Sequence, residues 1–234
     1  MSTNENLTRQ VIAGIGALLL VLIIFVWAAD ANMRKTATPA SPTTTPEGAY
    51  GGQTVTTPGG ITFAYGGSYG LAVTEDQVLT KAYIPPCDPG FDYCLYRTGE
   101  AYANTNFESA GLRIEERKDL TTESACLSTP PAGYADFTPT IQTHSDYSTS
   151  VFSPLGDAGA GHYAQGALYR LYFGTTCYEF ETRIGQTQFA NYPPGAIQEF
   201  TKDDLAAVSA ELAGMLDSVT IAATGERVAF PETP

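Results

Sequence analysis

The sequence is poor in histidine, tryptophan and basic residues. His144 and His162 are its only histidines, Trp27 is its only tryptophan, and 12 Lys and Arg face 25 Asp and Glu. No G-K-[ST] triplet occurs, which excludes a P-loop. No nucleophile context of the G-x-S-x-G kind is read for either histidine, and His144, Ser145 and Asp146 do not make a triad by adjacency, because neighbours on a strand point to opposite faces. Both histidines are therefore expected at the surface. The acidic excess of −13 arises wholly beyond residue 60, where 9 basic residues meet 22 acidic ones. Such a surface repels nucleic acid and anionic headgroups and keeps a domain soluble.

Charge is also missing from residues 11–29, "VIAGIGALLLVLIIFVWAA", an apolar run of nineteen residues. At about 1.5 Å per residue it reaches roughly 28 Å, close to a bilayer's hydrocarbon thickness. This predicts a transmembrane anchor after a short cytoplasmic segment, residues 1–10. A cleaved signal peptide competes, since Ala29 and Ala31 flank Asp30 in an A-x-A pattern. The length of the run and the interfacial preference of Trp27 favour a retained anchor.

The charges flanking the span do not fix its orientation, so the cysteines supply that argument. Cys87, Cys94, Cys126 and Cys177 all lie beyond the span, are even in number and show no CxxC or Cys/His spacing for zinc. Two disulfides in an oxidising, extracytoplasmic compartment are expected. Three pairings are possible, and loop closure favours Cys87 with Cys94 and Cys126 with Cys177.

Residues 36–60, with eight Thr, four Pro and one charge, Glu47, lack the apolar content for a core. Residues 30–60 are read as a Thr/Pro/Gly-rich stalk, 61–222 as the folded domain and 223–234 as a loose tail. The domain opens with two β-prone runs around a Gly-Gly-Ser turn signal, residues 61–73, and further strands are expected at 92–97, 111–117 and 137–143. In "GALYRLYFGTTCYEFETRI", residues 166–184, a two-residue tip at Gly174 and Thr175 pairs Leu171 with Tyr178 and Tyr169 with Phe180 on one face. Arg170 meets Glu179 on the other, and with Glu181 and Arg183 they are expected to form a solvated face of alternating sign. Thr201 caps a helix that carries Leu205, Val208, Leu212, Met215 and Leu216, followed by a last strand at 217–221; a shorter helix is expected at 120–127. Strands dominate without βαβ alternation, so the fold class is α+β, a mainly antiparallel sheet with one long C-terminal amphipathic helix packed on it.

Two stretches invite a ligand reading. "GDAGAGHYAQG", residues 156–166, looks like a phosphate loop, but Ala164 stands where the third glycine belongs and a strand follows instead of a helix. It is expected to be a flexible, tight approach to the hairpin. "CDPGFDYC", residues 87–94, holds Asp88 and Asp92 but lacks the spacing of a calcium loop. The aromatics, 14 Tyr and 11 Phe, are expected mainly in the core. Catalytic residues, metal ligands and cofactors are assigned to none.

The stretches at 93–120, "YCLYRTGEAYANTNFESAGLRIEERKDL", 158–184, "AGAGHYAQGALYRLYFGTTCYEFETRI", and 191–205, "NYPPGAIQEFTKDDL", resemble uncharacterised bacterial single-span membrane proteins with a cysteine-containing ectodomain. That resemblance covers roughly 61–222 and implies no catalytic residue. The layout of sheet, long helix and final strand looks more loosely like PsbP-type α+β domains, mostly accessory or binding modules. The leading expectation is a single-pass cell-membrane protein whose extracytoplasmic domain is a binding or assembly module for an envelope protein or cell-wall component. The alternatives are an envelope hydrolase with an unrecognised site and a purely structural envelope protein.

Overall fold

Strands from both halves of the chain build one long antiparallel sheet. In the computed structural model, which describes residues 52–78 and 82–233, seven strands run in the order β3-β4-β5-β9-β8-β7-β6. They are β3 (Tyr69–Ala72), β4 (Tyr93–Arg97), β5 (Phe107–Glu116), β6 (Thr140–Thr143), β7 (Tyr147–Gly159), β8 (His162–Phe173) and β9 (Thr176–Thr187). A smaller sheet contains β1 (Gln53–Thr56), β2 (Ile61–Tyr65), β10 (Thr220–Ile221) and β11 (Glu226–Arg227) in the order β1-β2-β10-β11. The fold is thus α+β and mainly antiparallel. The segment at 11–29 lies outside the described residues, and among the described residues no helix is long and apolar enough to cross a membrane.

The β8–β9 register pairs Leu171 with Tyr178, Tyr169 with Phe180 and Arg170 with Glu179, around a tip where Gly174 takes φ 63°. Period-two patterning and a glycine able to adopt positive φ at the turn set that register together. The long helix α2 (Lys202–Asp217) follows Thr201, whose hydroxyl accepts from the Asp204 amide while the Asp204 carboxylate accepts from the Thr201 amide. Its buried side chains Val208, Leu212, Met215 and Leu216 meet Leu112, Leu171 and Phe180 of the large sheet and Ile61, Phe63 and Ile221 of the small one. The short helix α1 (Glu123–Ser128), capped by Thr122, contacts β7 and β8. It is tied by the Cys126–Cys177 disulfide, while Cys87–Cys94 closes the loop before β4.

Four features differ from expectation. Residues 53–56, assigned to the stalk, pair with β2 as an edge strand, so ladder hydrogen bonds begin before the apolar pattern does. The runs around the Gly-Gly-Ser signal do not pair with each other; β2 joins the small sheet and β3 the large one. The segment beyond 222, expected to be loose, adds β11, buries Val228 and sets Phe230 edge-on to Tyr169 and Phe180. The glycine-rich loop is itself a hairpin tip, in which Ala160 and Gly161 (φ 52° and 82°) make the two-residue turn joining β7 to β8.

Candidate functional site

One face of the large sheet meets helix α2; the other carries charge. Along β8 and β9 the side chains alternate, so placing Leu171 and Phe180 in the core sends Arg170, Glu179, Glu181 and Arg183 to the opposite face. Arg113 on β5 lies opposite Glu181, and Arg117 follows the strand. This face is not solvated as expected: Arg170 is 1% exposed and Glu179 2%. Helix α1 and the segment after it cover one side, and the Cys87–Cys94 loop stands on the other.

Glu179 is the centre of the network. One of its oxygens accepts from Arg113 Nη1 at 2.9 Å, and the other accepts from Arg117 Nη1 at 2.7 Å and Arg170 Nε at 2.8 Å. Arg170 also donates to the carbonyls of Cys126 and Thr129 and lies over the Phe152 ring. Arg183 donates to Glu181 at 2.8 Å and makes a two-pronged contact with both oxygens of Asp88. Arg113 also pairs with Glu115, and Arg117 pairs with Asp119 through two nitrogens. Burial raises the pKa of Glu181 despite its arginine neighbours, and burial likewise raises that of Glu115. Asp88 moves the other way, held below the usual aspartate range by its hydrogen bonds from Arg183.

Between these walls lies a cleft of about 270 Å³. Its floor is Arg113, Arg170, Glu179, Glu181 and Arg183; Asp88 stands on one rim, and Pro130, Pro131 and Tyr134 on the other. The Tyr134 hydroxyl donates to the Gly156 carbonyl at 2.6 Å and accepts from the Gly156 amide at 3.0 Å, which fixes that rim to β7. Small residues open the floor. A Cβ on Gly166 would meet the Thr182 carbonyl oxygen at 1.8 Å, so only glycine fits where the backbones close under the cleft.

The other candidates lie apart. Asp92 accepts from the Glu116 amide at 2.7 Å while Asp88 faces Arg183, so the two aspartates of the loop do not converge. His144 and His162 sit at opposite ends of β7, the first stacked on Tyr147 and the second on Tyr83. His162 Nδ1 lies 2.7 Å from Glu108 Oε2. The spacing G-x-S-x-G does occur, at Gly66, Gly67, Ser68, Tyr69 and Gly70, but it joins two strands, whereas a nucleophile elbow needs a helix after the serine. The roles of Arg113, Arg117 and Asp88 were missed. The alternation in "GLRIEER" carries a signal for the first two, once β5 is placed beside β9; nothing local points from Asp88 to Arg183, 95 residues away.

No model of a protein family matches the chain, and no curated protein matches it. Among solved structures the chain is similar to the solution structure of cyanobacterial PsbP (CyanoP) from Synechocystis, at 12% identity and a TM-score of 0.32. The match covers 72% of this chain and 91% of that one.

Proposed function

We propose that this protein is a membrane-tethered extracytoplasmic binding or assembly module whose ligand, part of an envelope protein or of the cell wall, occupies the charged cleft. The carrying observation is Arg170 and Glu179 at the cleft floor, 1% and 2% exposed. Buried ion pairs are costly to desolvate, and apolar residues of similar volume often hold a fold as well or better. A buried network that also floors an open cleft is therefore better accounted for by recognition than by stability. The two disulfides favour an oxidising compartment, and the apolar run at 11–29 supplies the tether. The sequence resemblance to bacterial single-span proteins fits the same reading.

The test is a thermal melt of the oxidised full chain in detergent micelles with cell-wall glycan and peptide fragments. A ligand at a hundred times its dissociation constant adds about 2.7 kcal/mol, several degrees for a domain of this size. The expected result is such a shift in the wild type and its loss in Ala164→Trp, which fills the cleft. A shift that survives that substitution would place the ligand elsewhere.

A further inference from the structure

The charges of the cleft do not balance from within. Four guanidiniums, Arg113, Arg117, Arg170 and Arg183, face three carboxylates carried by the strands, Glu115, Glu179 and Glu181. Two carboxylates from outside the strands, Asp119 with its side chain 63% exposed and Asp88 50% exposed, raise the count to five against four. Of these two Asp88 lines the cleft, and Asp157 of β7 lines it as well. The partner of Asp88, Arg183, is 18% exposed and is already bound along one side by Glu181.

We infer that Asp88 occupies the place of a ligand carboxylate, so that the cleft recognises a monoanionic carboxylate through the fork of Arg183, and the Cys87–Cys94 loop holds a built-in competitor. This rests on the cleft being the binding site, as proposed above. A guanidinium fork matches a carboxylate by two parallel hydrogen bonds, the arrangement Asp88 already shows. A pair with a half-exposed member is worth little to stability, so exchanging one carboxylate for another costs little on the protein's side. Withdrawal of Asp88 leaves four guanidiniums against four carboxylates and frees the outer edge of Arg183, with Glu181 on its other side. That suits one negative charge and disfavours a dianion, the more so on a chain of net charge −13. Tethering keeps Asp88 at high local concentration, and a ligand has to compete with it.

The experiment is calorimetric titration of the full chain in micelles with acetyl-alanyl-alanine, its C-terminal amide, glucuronate and inorganic phosphate. The variants are Asp88→Ala, Arg183→Gln and Arg183→Lys, each checked by melting and oxidised mass. We expect Asp88→Ala to bind at least one free acid about tenfold tighter than the wild type, the worth of one charge-assisted contact. The amide and phosphate should gain nothing, and Arg183→Gln should lose the gain in the double variant. Arg183→Lys, which keeps the charge without the fork, should recover it only in part. Preference between the peptide acid and glucuronate identifies the source of the carboxylate. Equal binding of acid and amide, blocked by Ala164→Trp, would overturn the inference and leave the cleft a binding site. No gain for any acid in Asp88→Ala would overturn it too, while the melt with wall fragments decides the broader reading independently.

Discussion

The two faces of the seven-stranded sheet are both buried along their central strands, yet they are built from opposite chemistry. Toward helix α2, Leu112, Leu171 and Phe180 lie at 0% exposure in an apolar core. On the other face Arg113, Arg170 and Glu179 occupy the intervening positions, covered by helix α1 and two irregular segments and satisfied by one another. Burial by itself therefore does not say what a side chain is for. The apolar face does what any core does, and could be repacked with residues of similar volume. The charged face is least tolerant at Glu179, whose removal takes from Arg170, 1% exposed, its carboxylate partner.

The sharpest way to probe that difference is to cut one side chain from each face. Phe180→Ala should cost about 3–5 kcal/mol through lost burial and the cavity it leaves, read by chemical denaturation. Glu179→Ala should cost a similar amount, about 3–5 kcal/mol, because Arg113, Arg117 and Arg170 all lose a buried partner. The faces part company in rescue. Arg170→Met combined with Glu179→Leu should return to within about 1 kcal/mol of the wild type, since Arg113 keeps Glu115 and Glu181, and Arg117 keeps Asp119.

The disulfides sharpen the comparison of the two covers over the charged face. Cys126–Cys177 spans 51 residues of sequence and Cys87–Cys94 spans 7. Chain-entropy estimates make the first worth about 4 kcal/mol and the second about 2.5 kcal/mol. Paired Cys→Ala variants at each bridge should rank in that order by midpoint of denaturation; the reverse order would place the strength of the fold in the Asp88 loop.

Much of the apolar face was legible in the sequence. Strict alternation about Gly174 and Thr175 gave the β8–β9 register, and Thr201 with Asp204 marked the start of α2, because both signals are local. Solvation of the other face was not legible. Alternating charge looks the same whether water or helix α1 lies over it, and the cover comes from residues 82–94 and 123–134, which carry no periodicity. The tail was misjudged for a related reason, since Val228 and Phe230 are isolated apolar residues whose partners lie elsewhere in the sequence, Val219 for the first and Tyr169 and Phe180 for the second. The cleft itself depends on contacts such as Asp88 to Arg183 that no spacing rule connects. Loss of the α2 cap is a modest check on the legible part: Thr201→Ala should lower stability by about 1 kcal/mol.

The smallest expected effect concerns pH. Asp88 has its folded pKa lowered by Arg183, so its contribution is present above the ordinary aspartate value, about 3.9, and is lost as pH falls through the folded value. Glu181 runs the other way, because its raised pKa means that its contribution is present at low pH and lost as pH rises through the folded value. Asp88→Ala should therefore differ from the wild type by less than about 1 kcal/mol at pH 7, and the difference should shrink toward pH 3.

The most direct measurement is one paired melt of the full chain in micelles, wild type beside the Arg170→Met, Glu179→Leu variant, with and without the wall fragment that shifts the wild type. If the charged floor exists for recognition, the variant keeps its midpoint and loses the response to ligand. A variant that loses several kcal/mol of stability, or one that still answers the ligand in full, would contradict the account.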